Sequence, residues 1–341
     1  MRQAQITDTL NLLSKLSLKK SGNFLSVLAS YYLSKYFKKL IYNGLPISIA
    51  IEPTTSCNLR CPECPSGLRS FTRPTGMLQE ETFKKVIDEL ESTLLYLTFY
   101  FQGEPYLHPK FTELVHYASQ KGIYTSTSTN AHYLTEENAK KTVLSGLDRL
   151  IISIDGTSQE TYQAYRIGGK LEKVIEGTKN ILYWKKQLNS KTPYVIFQFL
   201  VVKPNEHEIE EVQRIGKEIG VDEVKLKTAQ IYDYENGSPL LPSIEKYARY
   251  QKGKDGKYFI KNSLENSCWR MWQSCVITWD GGVVPCCFDK DAHHKLGELA
   301  NDSFKAIWKS ENYQNFRKSL LRSRSEIEMC KNCTEGTKVF S

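Results

Sequence analysis

The stretch TTSCNLRCPECPSG, residues 54 to 67, sets Cys57, Cys61 and Cys64 in a CxxxCxxC spacing. Three thiols are one too few for a structural zinc and one too many for a disulfide. On a helix these positions would share a face, but Pro62 follows Cys61 and Pro65 follows Cys64, and a residue before proline is pushed out of helical angles. The segment therefore reads as a loop. Fully extended, its cysteine span would reach roughly 20 Å, so three sulfurs meet one small object only if the loop wraps it. A 4Fe-4S cube meets that description, because three thiolates leave one iron free for another ligand. Zinc stays open as the alternative if a fourth ligand comes from elsewhere. His108 is the candidate donor, although it also reads as a surface residue before Pro109.

A second group of cysteines lies late in the chain: Cys268, Cys275, Cys286, Cys287, Cys330 and Cys333, six of the nine present. Such density marks a small region stapled by ligands, and a zinc ribbon or an iron-sulfur cluster would each take four of these thiolates. Asp280-Gly281-Gly282 reads as a tight turn between CVITW and VVPCC, with one helix, from NDSFKAIWKSENYQNFRKSLLRS, behind the hairpin.

The elements that must position these residues alternate from about residue 46. ISIAIEP, LYLTFYFQGEP, IYTSTSTN, RLIISIDG, YVIFQFLVV and EVKLKTA read as strands. Amphipathic helices separate them, among them EETFKKVIDELES and NEHEIEEVQRIGKEIG. Six βα repeats with apolar strands require a mostly parallel sheet covered by helices, and the absence of a reversal favours a curled, incomplete (β/α)6 barrel. Chemistry then collects at the C-terminal ends of the strands, where the first cysteine loop begins. The expected division is a helical extension over 1–45, a core over 46–230, a polar bridge over 231–262 and a cysteine-rich α+β module over 263–341.

Composition narrows the setting. The chain has 341 residues, 40% hydrophobic and 25% charged, with a formal charge of +8. That charge is modest for this length, so no nucleic-acid partner is expected. No secretory signal and no membrane-spanning apolar run is present, so the thiols are expected in a reducing cytosol. NFLSVLASYYLSKYFKKLIYNG is an amphipathic helix, expected to pack on the main domain, with contact to a membrane surface as the alternative.

Taken together, the motifs resemble the radical S-adenosylmethionine enzymes, and CNLRCPEC is close to the form found where a C-terminal cluster domain follows. Gly103, Glu104 and Pro105 resemble the end of the GGEP motif after strand two, with Gln102 in place of its first glycine. Ser128, Thr129 and Asn130 resemble the Thr-Asn-Gly end of strand three, with Ala131 in place of the glycine. Ser153 to Gly156, including Asp155, resembles the ribose-contacting end of strand four. Arg166 falls where relatives hold the S-adenosylmethionine carboxylate. The late cysteines resemble the auxiliary-cluster domains called SPASM and twitch: Cys268, Gly281 and Cys286 fit the opening pattern and Cys330 with Cys333 the distal pair.

The resemblance implies two 4Fe-4S clusters. One is catalytic, on Cys57, Cys61 and Cys64, with an open iron for S-adenosylmethionine. The other is auxiliary, on Cys268, Cys286, Cys330 and Cys333, with Cys275 as the alternative to Cys268. Cys287 and Asp289 read as structural. Further implied are a 5'-deoxyadenosyl radical that abstracts hydrogen, a low-potential donor such as flavodoxin or ferredoxin, and a peptide, protein or sugar substrate. Residues 1–45 are too short for a leader-peptide recognition domain. The competing reading is a noncatalytic metal-binding scaffold with an acidic partner, which would have no use for Glu104, Ser153 and Arg166.

Overall fold

The computed structural model describes residues 2–336 and 339. Two helices come first: α1 (Arg2–Ser14) and α2 (Leu18–Phe37), the second capped by Ser17, whose hydroxyl accepts the Lys20 N–H. Strand β1 (Ser48–Ile51) follows, and a short helix, α3 (Pro65–Leu68), lies just beyond the cysteine loop. The repeats continue through α4 (Glu80–Leu90), β2 (Tyr96–Thr98), α5 (Phe111–Gln120), β3 (Tyr124–Thr129), α6 (Glu136–Leu144) and β4 (Arg149–Ser153). They end with α7 (Gln159–Tyr165), α8 (Leu171–Gln187), β5 (Tyr194–Val201), α9 (Ile209–Ile219) and β6 (Glu223–Thr228). Strands β1 to β6 pair in chain order and all in parallel, giving the partial (β/α)6 barrel. The second strand is shorter than its sequence suggests, because regular pairing stops at Thr98.

Alternation along the strands separates two faces. Leu97, Leu150, Ile152, Val195 and Phe197 are fully buried in the core beneath the helices. The opposite face is polar and aromatic. There Tyr96 stacks on Tyr124 at 5.0 Å, and Arg149 lies over the rings of Tyr124 and Tyr194. Helix α1 closes this end of the barrel. Its buried Asp8 accepts hydrogen bonds from the Tyr124 hydroxyl and the Arg149 guanidinium, and Asn11 donates to Asp148 at 2.7 Å.

Beyond β6 a small antiparallel hairpin, β7 (Tyr250–Lys252) with β8 (Tyr258–Ile260), occupies the bridge. Helix α10 (Trp269–Gln273) then leads into β9 (Ser274–Ile277), which pairs antiparallel with β10 (Gly282–Val284), and β11 (Gly297–Glu298) completes this group. Gly281 supplies the left-handed turn residue, at φ +84°. Strand β9 also runs parallel to β1, with Ser48 opposite Ser274 and Ile51 opposite Ile277. The sheet therefore has nine strands, in the order β11-β10-β9-β1-β2-β3-β4-β5-β6.

The single helix expected behind the hairpin is two, α11 (Phe304–Lys309) and α12 (Glu311–Arg322). Ser310 leaves helical angles between them and caps the second by accepting the Tyr313 N–H. A last short helix, α13 (Glu328–Lys331), carries Cys330.

Helix α2 buries Val27, Tyr31 and Ser34, one face by helical spacing. The Tyr31 ring meets Trp269 and Trp272 edge-on at 5.3 and 5.7 Å, so the amphipathic helix does pack on the folded body. Truncating a buried aromatic leaves a cavity, and Tyr31→Ala is expected to cost about 3–5 kcal/mol in urea unfolding. A loss under about 1 kcal/mol would show that α2 is not anchored there.

Candidate functional site

The first cysteine loop is stitched to the loop after β2. The Thr54 hydroxyl donates to the Gly76 carbonyl, Glu104 N–H donates to the Ser56 carbonyl at 2.8 Å, and Gly103 N–H donates to the Ser66 hydroxyl at 2.8 Å. Gly103 sits at φ +75°, and a Cβ there would lie 2.1 Å from the Thr54 carbonyl oxygen, so only glycine allows this approach. Gly67 does the same for α3, where a Cβ would meet the Cys61 backbone at 2.5 Å. Residues 57–64 are non-helical, as the prolines require.

Cys57, Cys61 and Cys64 line one cavity of about 140 Å³. Gln102, Gly103, Glu104, Ser128, Thr129, Asn130, Ser153 and Arg166 share it, and so do Tyr100 and Phe101, which the motifs did not point to. The alternation of strand two, continued past Thr98, is the signal that could have found Tyr100. Glu104 is 2% exposed and accepts from the Thr129 hydroxyl at 2.7 Å, Asn130 N–H at 2.8 Å and Tyr106 N–H at 3.3 Å. Burial pushes its carboxyl above the usual carboxylate range, and these donors pull the other way.

Arg166 places Nη1 3.6 Å from the Cys61 sulfur and gives Nε to Asp155 at 2.5 Å. Asp155 does not line the cavity. Its second oxygen accepts the Leu200 N–H at 2.7 Å, so it is fully occupied in holding Arg166 against β5. Pro105 also lies behind the wall, opening a single 3-10 turn. Ala131 takes the left-handed conformation at φ +65° that the family's glycine would take without strain. His108 is buried against the Leu78 carbonyl at 2.9 Å and does not reach the thiols.

A second, enclosed cavity is lined by Cys268, Cys286, Cys330 and Cys333 together with Arg270 and Arg324. Arg324 is 1% exposed and puts Nη2 3.3 Å from the Cys333 sulfur. Gly336, at φ +80°, backs the Cys268 sulfur so closely that a Cβ would lie 2.3 Å from it. Cys275 is elsewhere. It sits on β9 opposite Ile49, where burial pushes its thiol pKa up, near Tyr313 and the fully buried Arg317. Cys287 packs, as Ala50 does, against a small cluster of Phe101, Val276 and Val284. Its thiol is held below the usual thiol range by the hydrogen bond with Cys286, while burial opposes and Arg270 assists.

Both cavities carry the thiol donors that an iron-sulfur cluster takes, although among the described residues no three ligating side chains close on a single metal ion. All nine cysteines are free of disulfides, and each cavity gathers thiols that its own loops hold with nearby guanidinium groups. Burial pushes the Cys57 thiol up to about 12 and Cys330 to about 11, so thiolates here require compensating positive charge of the kind iron supplies. An open cleft of about 830 Å³ adjoins the second cavity, sharing Phe288 and Met329 with it, and reaches Pro65 and Leu68 just past the first cysteine loop, with Tyr232, Lys290 and His294 among its walls.

A family model for the radical SAM superfamily matches residues 51–214, and one for SPASM, an iron-sulfur cluster-binding domain, matches residues 268–334. The tungsten-containing aldehyde ferredoxin oxidoreductase cofactor-modifying protein of Pyrococcus furiosus is 26% identical over 299 residues, 78% of this chain and 82% of that one. Mycofactocin maturase MftC of Mycobacterium tuberculosis is 25% identical over 311 residues, 84% and 75% of the two chains. Among solved structures, Streptococcus suis SuiB bound to S-adenosylmethionine shares the fold at a TM-score of 0.62 with 13% identity, covering 85% of this chain and 72% of that one.

The three donors on Glu104 make a direct prediction. Glu104→Gln turns one acceptor oxygen into a donor that must face the Thr129 or Asn130 donors, which should cost about 1–3 kcal/mol of stability. An unchanged unfolding midpoint would mean that the carboxylate does not organise these strand ends.

Proposed function

The chain belongs to the radical S-adenosylmethionine superfamily and carries a SPASM domain, and from that premise we propose an oxidative modification begun by hydrogen abstraction. It is an enzyme whose cofactors are S-adenosylmethionine, a catalytic 4Fe-4S cluster and auxiliary iron-sulfur. The scaffold alternative is thereby set aside. The observation that carries the residue-level reading is the meeting of three free thiols with Glu104, Asn130, Ser153 and Arg166 in one cavity.

Cys57, Cys61 and Cys64 hold the catalytic cluster, and Cys268, Cys286, Cys330 and Cys333 hold a single auxiliary one. When bound, the cofactors supply an electron and the carbon-sulfur bond that yields methionine and a 5'-deoxyadenosyl radical. Gly103 lets the loop after β2 close on the Thr54 carbonyl of the cysteine loop, while Glu104 ties the ends of β2 and β3 into one wall. Ser128, Thr129, Asn130 and Ser153 offer polar groups along it. Arg166, positioned by Asp155, presents its guanidinium to a carboxylate, and Pro105 fixes the direction of the loop behind Glu104.

The substrate enters the cleft beside the second cavity, and its class is polar: a peptide, a protein side chain or a carbohydrate. The tyrosine, lysine and histidine walls of the cleft support this. A low-potential donor such as flavodoxin or ferredoxin supplies electrons. The same reading assigns residues 46–230 to the core, 231–262 to the bridge and 263–341 to the iron-sulfur module, with 1–45 as a helical extension and the cytoplasm as the location. Among the described residues no helix is long and apolar enough to cross a membrane.

Anaerobic reconstitution tests the assignment. Two cubes should give about eight irons per chain, and Cys57→Ala/Cys61→Ala/Cys64→Ala should keep about four and form no 5'-deoxyadenosine with a strong reductant. Nucleoside formation by the triple variant would overturn it. Cys275→Ala should keep the full iron complement, and loss of about four irons would move the auxiliary ligand from Cys268 to Cys275.

A further inference from the structure

We propose that the N-terminal helices dock the protein on an anionic lipid surface, lying on the bilayer without crossing it. Residues 1–45 contain seven basic residues and one acid, Asp8, a formal +6 of the chain's +8. The remaining residues are close to neutral. Lys20 is buried on the Gly122 carbonyl, and Lys15 and Lys35 pair with Asp148 and Glu265, so the outward charge rests on Lys19, Lys38 and Lys39. Asp8 is buried in its contact with Arg149 and offers nothing to the outside.

The second observation is that α1 is built inside out. Asp8, Asn11 and Lys15 lie three and four residues apart, on one face. That face makes the contacts with the barrel, Asn11 and Lys15 both reaching Asp148. The opposite face carries Ile6, Leu10 and Leu13, exposed by 53, 60 and 51%. A helix that serves only a soluble fold turns such residues inward.

Helix α2 repeats the pattern. Val27, Tyr31 and Ser34 are buried, while Leu18, Leu25, Tyr32 and Tyr36 form the opposite stripe at helical spacing. Leu18 is 93% and Tyr36 80% exposed. Lys19 at one end of the stripe and Lys38 and Lys39 at the other are exposed and make no ion pair among the described residues. Leucine and tyrosine bracketed by lysine is the composition of an interfacial helix, with tyrosine suited to the headgroup level.

Charge also decides between occupants. A two-fold contact between copies would bring the same uncompensated lysines face to face, which is unfavourable, whereas an anionic bilayer attracts them. Helix α1 sits at the N-terminal ends of the strands, opposite the cofactor cavity, so docking through it leaves the cleft open to substrate and electron donor. This inference does not depend on the reaction proposed above.

The test is flotation with vesicles of about one part phosphatidylglycerol to two parts phosphatidylcholine, against pure phosphatidylcholine. Wild type should float with the anionic vesicles and release as salt is raised. Lys19→Gln/Lys38→Gln/Lys39→Gln should weaken binding about 100-fold. Leu10→Ser/Leu25→Ser/Tyr36→Ser should abolish it while leaving the unfolding midpoint and iron content unchanged, since exposed positions contribute little to stability. Equal flotation of wild type and the apolar variant would overturn the proposal. So would a wild-type dimer by light scattering that the apolar variant converts to monomer, because the stripe would then belong to a second copy.

Discussion

Strand β1 is four residues long, and both thiol sites are referenced to it. It pairs with β2 on one side and β9 on the other, so the barrel and the cysteine-rich module share one sheet. The next residue, Glu52, is fully buried. It accepts two guanidinium hydrogen bonds from Arg73 at 2.8 and 2.6 Å and the Trp279 N–H at 3.2 Å. A buried carboxylate is tolerated only when so compensated, and here the compensation joins the end of β1, the segment behind the cysteine loop and the β9–β10 turn. Cys57 follows Glu52 by five residues and Cys286 follows β10 by two, so one rigid frame sets the relation between the sites.

That frame explains the placing of the cleft. The loop after β1 forms one wall through Pro65 and Leu68, and the turn after β10 forms another through Phe288 to Asp291. Lys290 stands between them, its ammonium over the Tyr232 ring at 4.7 Å. Cys287, one of the two cysteines left over by ligand counting, packs against the same small cluster as Ala50, that of Phe101, Val276 and Val284. The two thiol sites therefore cannot drift apart without breaking β1 from β9.

The local features were legible because their causes are local. Prolines after Cys61 and Cys64 forbid a helix whatever surrounds them, and Asp280-Gly281 favours a turn in any hairpin. The parallel order of β1 to β6 follows from alternating strands and helices. What escaped the sequence was long-range. The pairing of Ser48 with Ser274 joins short strands more than two hundred residues apart, and SCVI reads equally well as half of an isolated hairpin. Asp155 looked like a cofactor contact by motif, but its oxygens are taken by Arg166 and Leu200, which only the fold brings near. Asp8 carried no signal at all, since its partners Tyr124 and Arg149 lie on two different strands. The break at Ser310 was foreseeable in principle, serine being a good cap, but a continuous amphipathic pattern hid it.

The central claim is that the three-thiol loop leaves one iron free for the amino and carboxylate groups of S-adenosylmethionine. Electron-nuclear double resonance on the anaerobically reduced protein, with the cofactor labelled by nitrogen-15 at its amino group, reads that contact directly. A nitrogen-15 coupling is expected on the cluster signal, and it should disappear in Cys57→Ala/Cys61→Ala/Cys64→Ala while the auxiliary signal remains. A full cluster signal in the wild type with no nitrogen-15 coupling at saturating cofactor would contradict it.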